Sequence, residues 1–410
     1  MTASATALSA ISPVLLRPRG SNHVGMRAFN ERVVLQAIRL NGSLPKADLA
    51  RLTGLTAQTI GLITTRLEDD DLLIRHERVR GRIGQPSVPL ALNPDGAFSV
   101  GIKIGRRSTD WLLVDFTGQV RQRLSVTYAF PDAGTLIPLI GQHLRTLRDH
   151  LGALAPRLVG VGVAAPLQLG GWHRMLGLSD AESDAWNRLD LSAEVQTMTD
   201  LPVNFAKDTS AACVAELVAG RGRDMKSFLY LFVDTFVGGG LVIDSRPHAG
   251  IHCNAGAVAS LPLEVAHDTV RMPPQLVSQA SLWELEQSFK ARGLDSTAAY
   301  DERAMEPPFA DDTEAWVTSA ATGLAHSIVS ATALLDIDAV VMDGSFCRPL
   351  LQRLIASTDQ ALGRYNWEGL WPAQIIAGSI GSDARALGGA MLPLHANFAP
   401  DRDLFLKVSN

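Results

Sequence analysis

The chain has 410 residues, more than one ordinary core holds and enough for about three domains. Its 46% hydrophobic and 6% aromatic content is that of a soluble globular protein and excludes a disordered or fibrous one. A net charge of −5 excludes nucleic-acid binding through a global positive field, so any such affinity has to come from a local patch. Cys213, Cys253 and Cys347 stand far apart, without CxxC spacing or a disulfide framework, as in a reducing cytoplasm. No apolar run reaches transmembrane length, and the N-terminus lacks a positive region ahead of an apolar core, as a secretory signal needs. The expectation is a cytoplasmic protein with no membrane partner.

Residues 1–26 are rich in Ala and Ser, carry Pro13 and Pro18, and read as a flexible tail. Arg17 and Arg19 there read as phosphate contacts or, more commonly for such a segment, as solvated charges. Arg27–Asn41 reads as a helix with Val33, Val34, Ala37, Ile38 and Leu40 on its apolar side, stopped by Asn41-Gly42.

Leu44–Pro89 carries the clearest local signal. A first helix is predicted from Pro45 to Leu52, with proline in the first helical position. Gly54 suits a left-handed helix end, and Thr56 is a natural N-cap for the next helix. That helix buries Ile60, Ile63 and Leu67 at i, i+3 and i+7. Its outward positions carry Ala57, Gln58 and Thr59, then Leu62 and Arg66. This is helix-turn-helix spacing, which sets N-terminal side chains of the second helix against base edges. Gln58 suits bidentate pairing with adenine, and Thr59 a base or a phosphate. A basic wing follows: Arg75, Arg78, Arg80 and Arg82 are opposed by Glu77, and Gly81 and Gly84 bracket the tip. Arginine on such a tip suits a narrow minor groove. The candidate DNA contacts are Lys46, Thr56, Gln58, Thr59, Arg66, Arg78, Arg80, Arg82 and Gln85. The plainer reading is a helical subdomain with a solvated basic hairpin; the wing moves the balance to DNA. Asp69, Asp70 and Asp71 oppose the helix macrodipole by roughly 0.3–1 kcal/mol each. Asp71 suits a left-handed turn, and this helix end is expected to face away from phosphates. Val88–Asn93 reads as the second wing strand, and Pro94-Asp95-Gly96 as a boundary, so the DNA module spans residues 27–94.

Residues 95–410 begin a different body. Strands are predicted within Phe98–Thr117, at Val120–Tyr128, Leu158–Ala164, Val203–Phe205, Ser227–Val233, Gly239–Ile243, Ala339–Met342 and Gln374–Ala377. Helices are predicted at Leu136–Leu154, Leu189–Thr199, Thr209–Ala219, Leu282–Arg292, Thr313–Leu335, Leu350–Leu362 and Ser382–Leu394, and a loop at Pro247–Pro262. Strands, then helices, then strands again suggest two α/β lobes.

From Arg27 to Leu394 the chain resembles the ROK family (repressors, open reading frames and sugar kinases), specifically its winged-helix repressor branch. The segments that carry the resemblance are ADLARLTGLTAQTI, GRIGQP, VGIKIG, GVGVAAP, KDTSAACVAELVAG, AVVMDG and ALGGAML. It implies an α/β fold: a winged helix-turn-helix followed by two actin-like, ribonuclease-H-like lobes around a cleft. Lobe I would be about residues 95–207 plus 382–400, lobe II about 208–381, and the assembly a homodimer or homotetramer.

Measured against the family's kinases, the ligand motifs are altered. The first phosphate loop, Asp-x-Gly-Gly-Thr, is matched by Lys103, Gly105, Arg106 and Arg107. The second, Gly-Thr-Gly-x-Gly, is matched by Asp234-Thr235-Phe236-Val237-Gly238. Both changes work against a phosphate cradle, which needs exposed N–H groups and small residues. Asp208 matches the family's catalytic and sugar-binding aspartate, and Lys207 replaces an Asn; the bland reading of Asp208 is a carboxylate favoured at a helix N-terminus. Gly-Glu-x-Gly-His becomes Gly256-Ala257-Val258-Ala259-Ser260, and the zinc-binding cysteine cluster is missing. Cys253 with His252 makes half a tetrahedral site. No metal, no cofactor and no catalytic residue is therefore expected. The candidate effector ligands are Lys207, Asp208, His252 and Asn254. Lys207 beside Asp208 reads as an acceptor for an acidic or phosphorylated ligand or, equally well, as an ion pair. Trp172, His173 and Trp186 correspond to a loop facing the cleft in relatives, where an aromatic face can stack on a sugar; core packing is the commoner fate of tryptophan.

The expectation is a transcriptional regulator, most simply a repressor, that binds a double-stranded operator and is controlled by a carbohydrate-type effector in a body without kinase activity. The alternatives are a sugar kinase carrying a DNA module, and a constitutive DNA-binding protein that has lost its effector.

Overall fold

The computed structural model describes residues 23–77, 88–169, 175–177, 179–266 and 272–400. The first part comprises α1 (His23–Asn41), β1 (Ser43–Leu44), α2 (Lys46–Thr53), α3 (Ala57–Asp69), β2 (Leu73–Arg75) and β3 (Leu90–Leu92). The three short strands form an antiparallel sheet in the order β1-β3-β2. Pro45 occupies the N-cap of α2, one residue outside its predicted place in the helix. Gly54 ends α2 at φ +69, where a side chain on Cβ would be strained. Thr56 caps α3, its hydroxyl accepting from the Thr59 N–H at 3.2 Å. The inward face of α3 holds Ile60, Ile63 and Leu67 and also Thr64, whose hydroxyl is satisfied by the Ile60 carbonyl at 2.8 Å. Asp71 takes φ +56. Its carboxylate accepts from Arg157 at 2.7 Å, so this end of α3 is turned to the body.

The body follows as β4 (Phe98–Ile104), β5 (Ser108–Asp115), β6 (Val120–Thr127), α4 (Ala133–His150), β7 (Leu158–Ala165), α5 (Asp180–Asn187), α6 (Leu191–Gln196), β8 (Val203–Lys207), α7 (Asp208–Ala219), β9 (Phe228–Val233), β10 (Gly238–Ile243), β11 (Arg246–Pro247), α8 (Val277–Ala280), α9 (Leu282–Ala291), α10 (Ala310–Leu335), β12 (Ala339–Gly344), α11 (Arg348–Leu362), β13 (Gln374–Ala377) and α12 (Ala384–Phe398). Two five-stranded sheets result, ordered β6-β5-β4-β7-β8 and β11-β10-β9-β12-β13. In each, a central strand pairs antiparallel on one side and parallel on the other. Every residue of β4 and β9 is buried. Strands covered on both faces lose the polar alternation and read as continuous apolar runs.

Helix α12 returns to the first sheet and packs against β4, β7 and α7. The fit depends on glycine. A Cβ on Gly101, Gly162 or Gly388 would stand 2.0, 1.9 and 1.8 Å from the backbone oxygens of Ala386, Gly389 and Ala211. Ser99 completes the contact by donating to the Ala390 carbonyl at 2.7 Å.

The N-terminal part is not suspended on a free linker. Val34 and Ile38 of α1 join Leu112, Val114 and Phe116 of the β5 region and Leu387, Met391 and Leu394 of α12 in one buried cluster. Arg39 donates to the Phe116 carbonyl at 2.9 Å and lies over its ring at 5.0 Å. Arg223 donates to the Leu40 carbonyl at 2.7 Å.

Candidate functional site

Candidate sites lie on two surfaces: the outer face of α3 and the cleft between the lobes. On α3, Gln58 and Thr56 are exposed and Thr59 is half-buried. The hydroxyls of Thr56 and Thr59 meet at 2.9 Å, so both serve the cap, and each keeps capacity for one more partner. Gln58 is the outward amide at the helix N-terminus. Leu62, one turn further, is 56% exposed. An exposed leucine there offers apolar contact to a thymine methyl, and its outward position is the one the helix period predicts. Lys46 is half-buried at the start of α2. Arg66 departs from expectation: it turns back to Glu31 of α1 at 3.5 Å instead of reaching outward. Arg78, Arg80, Arg82 and Gln85 lie outside the described residues, as do Trp172 and His173. Arg75 pairs with Glu68 across the first wing strand.

In the body, Lys103 near the carboxyl end of β4 and Asp208, Asp234 and Ser345, which follow β8, β9 and β12, gather around Arg385 or the cleft it lines, the position where open α/β sheets bind ligands. Lys207 ends β8 and Asp208 opens α7, one residue before the predicted helix start. Lys207 donates to the Ala255 carbonyl at 3.0 Å and to Asn254 Oδ1 at 3.3 Å. Burial pushes its ammonium below the ordinary lysine value, and Asp208 opposes the shift. Of the four candidate effector ligands, the structure therefore joins Lys207, Asp208 and Asn254. His252 is exposed on the same loop. Trp186 is buried, its indole N–H donating to the Pro131 carbonyl at 2.8 Å, so it is a core residue rather than a stacking platform.

The residue that the sequence reading missed is Arg385. It lies in α12, 5% exposed, and its guanidinium meets Asp234 at 2.5 Å and Asp208 at 3.7 Å. Its Nη2 donates to the Ser345 hydroxyl at 3.1 Å, and its guanidinium carbon lies 4.8 Å from the centroid of the Phe232 ring. An arginine inside an alanine- and glycine-rich helix was the available signal. Burial works against charge on Asp234, yet Arg385 and Lys103 hold it below the usual carboxylate range.

Both phosphate-loop positions are filled. Lys103 turns inward to Asp110 at 3.1 Å and the Ser108 hydroxyl at 2.6 Å. The Gly105 N–H is spent on the Ser108 carbonyl at 2.9 Å, and the Val237 N–H on the buried Ser281 hydroxyl at 3.0 Å. Phe236 is buried with the Arg106 guanidinium 4.8 Å from its centroid. Burial brings Arg106 down to about 10, against Asp208 and Asp234. These residues do not fit a nucleotide triphosphate, which needs free amides and small side chains. Nor do they fit zinc: Cys253 and His252 are exposed, and among the described residues no three His, Cys, Asp or Glu side chains gather as a metal site requires. Among the described residues no helix is long and apolar enough to cross a membrane.

The ROK family model matches residues 99–273, so the chain carries a ROK family domain. It is similar to the protein y4fQ of Sinorhizobium fredii, with 25% identity over 377 residues, 90% of this chain and 92% of that one. It is also similar to the xylose repressor of Bacillus subtilis, with 22% identity over 273 residues, 65% of this chain and 67% of that one. Among solved structures, a ROK family transcriptional regulator described as a homologue of the Escherichia coli MLC protein superposes with a TM-score of 0.68 at 19% identity, covering 91% of this chain and 97% of that one. A ROK family glucokinase from Streptomyces griseus, in complex with glucose and AMPPNP, superposes with a TM-score of 0.58 at 20% identity, covering 72% of this chain and 99% of that one. The fold is thus mixed α/β, with two kinase-like lobes of the actin type.

Proposed function

We propose that this protein is a DNA-binding transcriptional repressor whose kinase-like body responds to a carbohydrate-type effector and transfers no phosphate. The observation that carries the reading is a helix-turn-helix head sharing one buried core with a body whose phosphate-loop positions are taken by Lys103 and Phe236, with Arg385 paired to Asp234 of the second loop. Relatives named as xylose repressor and DNA-binding transcriptional repressor support the same reading. The reading head is α3, with Gln58 and Leu62 toward the bases. Lys46, Thr56 and Thr59 lie around it, and the wing arginines Arg78, Arg80 and Arg82, with Gln85, complete the footprint. Arg66, held by Glu31, serves the fold of the head. A two-fold homo-oligomer would place two heads on the two halves of a palindromic operator.

The effector would sit beside Asp208, Lys207 and Asn254, with His252 at the mouth. Without a nucleotide, Asp208 is a hydroxyl-binding carboxylate, with the Arg385 guanidinium 3.7 Å away. The effector regulates DNA binding only by preferring one arrangement of the heads over another. Linkage then requires operator DNA to change effector affinity by the same factor. The test is DNA affinity of the full chain with and without sugars, sugar acids and polyols. A ligand that raises thermal stability and shifts DNA affinity, with both effects lost in Asp208→Ala, is expected. Stabilisation with no change in DNA affinity would contradict it.

A second reading, a sugar kinase with a DNA module, draws on the retained Asp208 and on the likeness to a glucokinase fold. Sugar-dependent ATP consumption by the pure chain, abolished in Asp208→Ala, would establish it in place of the first.

A further inference from the structure

A cleft of about 470 Å³ lies between the lobes. That is within the roughly 300–1,000 Å³ typical of small-molecule sites. Lys103, Asp234 and Arg385 are on its wall, whereas Lys207, Asp208 and Asn254 are not. Arg385 therefore touches Asp208 on one side and lines the cleft on the other.

The charges at the far end of the cleft are not balanced. Glu286 is buried, and it accepts from Arg107 at 2.8 Å and from the Tyr300 hydroxyl at 2.7 Å. Lys290 approaches the same carboxylate at 3.6 Å, beyond a good hydrogen bond, with 45% of its side chain exposed. Arg107 and Lys290 both lie against the ring of Trp283, at 5.4 and 5.1 Å. Two cations thus share one carboxylate, and the surplus positive charge faces the cleft. Arg107 belongs to the β4–β5 turn of the first lobe and Lys290 to α9 of the second, so an anion held by both would bridge the lobes. The remaining wall is rich in hydroxyls, among them Ser296, Ser345 and Ser382. A triphosphate is disfavoured because the Gly105 and Val237 amides are already occupied and the Asp234 carboxylate faces the same space.

We propose that this cleft is a second ligand site, separate from the Asp208 side, and that it takes a small polyhydroxylated anion. The carboxylate or phosphate monoester of that ligand sits between Arg107 and Lys290, and its hydroxyls face the serine-lined wall. Charge-assisted bonds from two cations give such a site its preference for an anion over the neutral sugar.

Calorimetric titration of the full chain with glucose, gluconate, glucose 6-phosphate and inorganic phosphate tests this, at low and at moderate salt. At least one of the two sugar anions is expected to bind saturably and more weakly as salt rises, and which one binds distinguishes carboxylate from phosphate. In Lys290→Ala, a change on a half-exposed helix position, that affinity should fall by about tenfold or more. The proposal is overturned if neither sugar anion binds or if Lys290→Ala binds as tightly. Inorganic phosphate binding as tightly as the sugar anions would overturn the polyhydroxylated part. The titration contains no DNA, so its outcome is independent of the repressor reading.

Discussion

Arg385 is an ionised side chain inside a helix of small and apolar residues, held by Asp234 and Asp208. Removing one partner of a buried pair leaves an uncompensated charge, so Asp234→Ala should destabilise by about 3–5 kcal/mol in urea melts. The gentler Asp234→Asn tests the electrostatics by pH. Asp234 sits below its ordinary value of 3.8 in the folded protein, and so does Asp110 beside Lys103. A carboxylate lowered on folding stabilises above its unfolded value and loses that contribution as pH falls through the lower folded value. Stability should therefore drop on acidification through and below the ordinary carboxylate range, and less steeply in Asp234→Asn; equal acid limbs would refute the assignment. Outside the body, Gln58→Ala should weaken DNA binding by about tenfold while leaving the melting transition in place, as loss of one bidentate base contact does. Asp208 and Lys207 were legible because they sit in a recognisable segment. Arg385 was not, because what matters is where α12 lands, and no local pattern states that.

Among elements, α12 and α3 make opposite demands of glycine. The β7–α12 contact has no room at Gly162, where an added Cβ would stand 1.9 Å from the Gly389 carbonyl. Gly162→Ala should cost about 1–3 kcal/mol or more in equilibrium unfolding, as overpacking does. Gly61 in α3 has nothing within 4 Å of its would-be Cβ. Gly61→Ala should stabilise by about 0.5–1 kcal/mol through helix propensity; a loss of stability would show that the space is filled in the folded head. The head helices were readable because each boundary is chemically marked, by Gly54 and by Thr56. The long apolar helices and strands of the body were readable from periodicity and burial. The two-residue β1 and the eight-residue α5 were not, since elements so short carry too few residues for a period. The six-residue α6 was overextended for the same reason.

At the scale of the molecule, the head is tied to the body by contacts between residues far apart in the chain. Arg39 reaches Phe116 across 77 positions, Arg157 reaches Asp71 across 86, and Arg223 reaches Leu40 across 183. Such pairings have no local signature, which is why two lobes and a head could be anticipated but their junction could not. If that junction transmits the effector signal, Arg157→Ala should leave the DNA affinity of the ligand-free protein nearly unchanged and reduce the ligand's effect on it. Everything rests on the head reading duplex DNA under the body's control. The most direct measurement is selection from a random duplex library by the purified full chain, at about 50 mM salt, where phosphate contacts are strong. Enrichment of a two-fold symmetric sequence that Gln58→Ala fails to enrich is expected. An unenriched library, or the same enrichment by the variant, would contradict it.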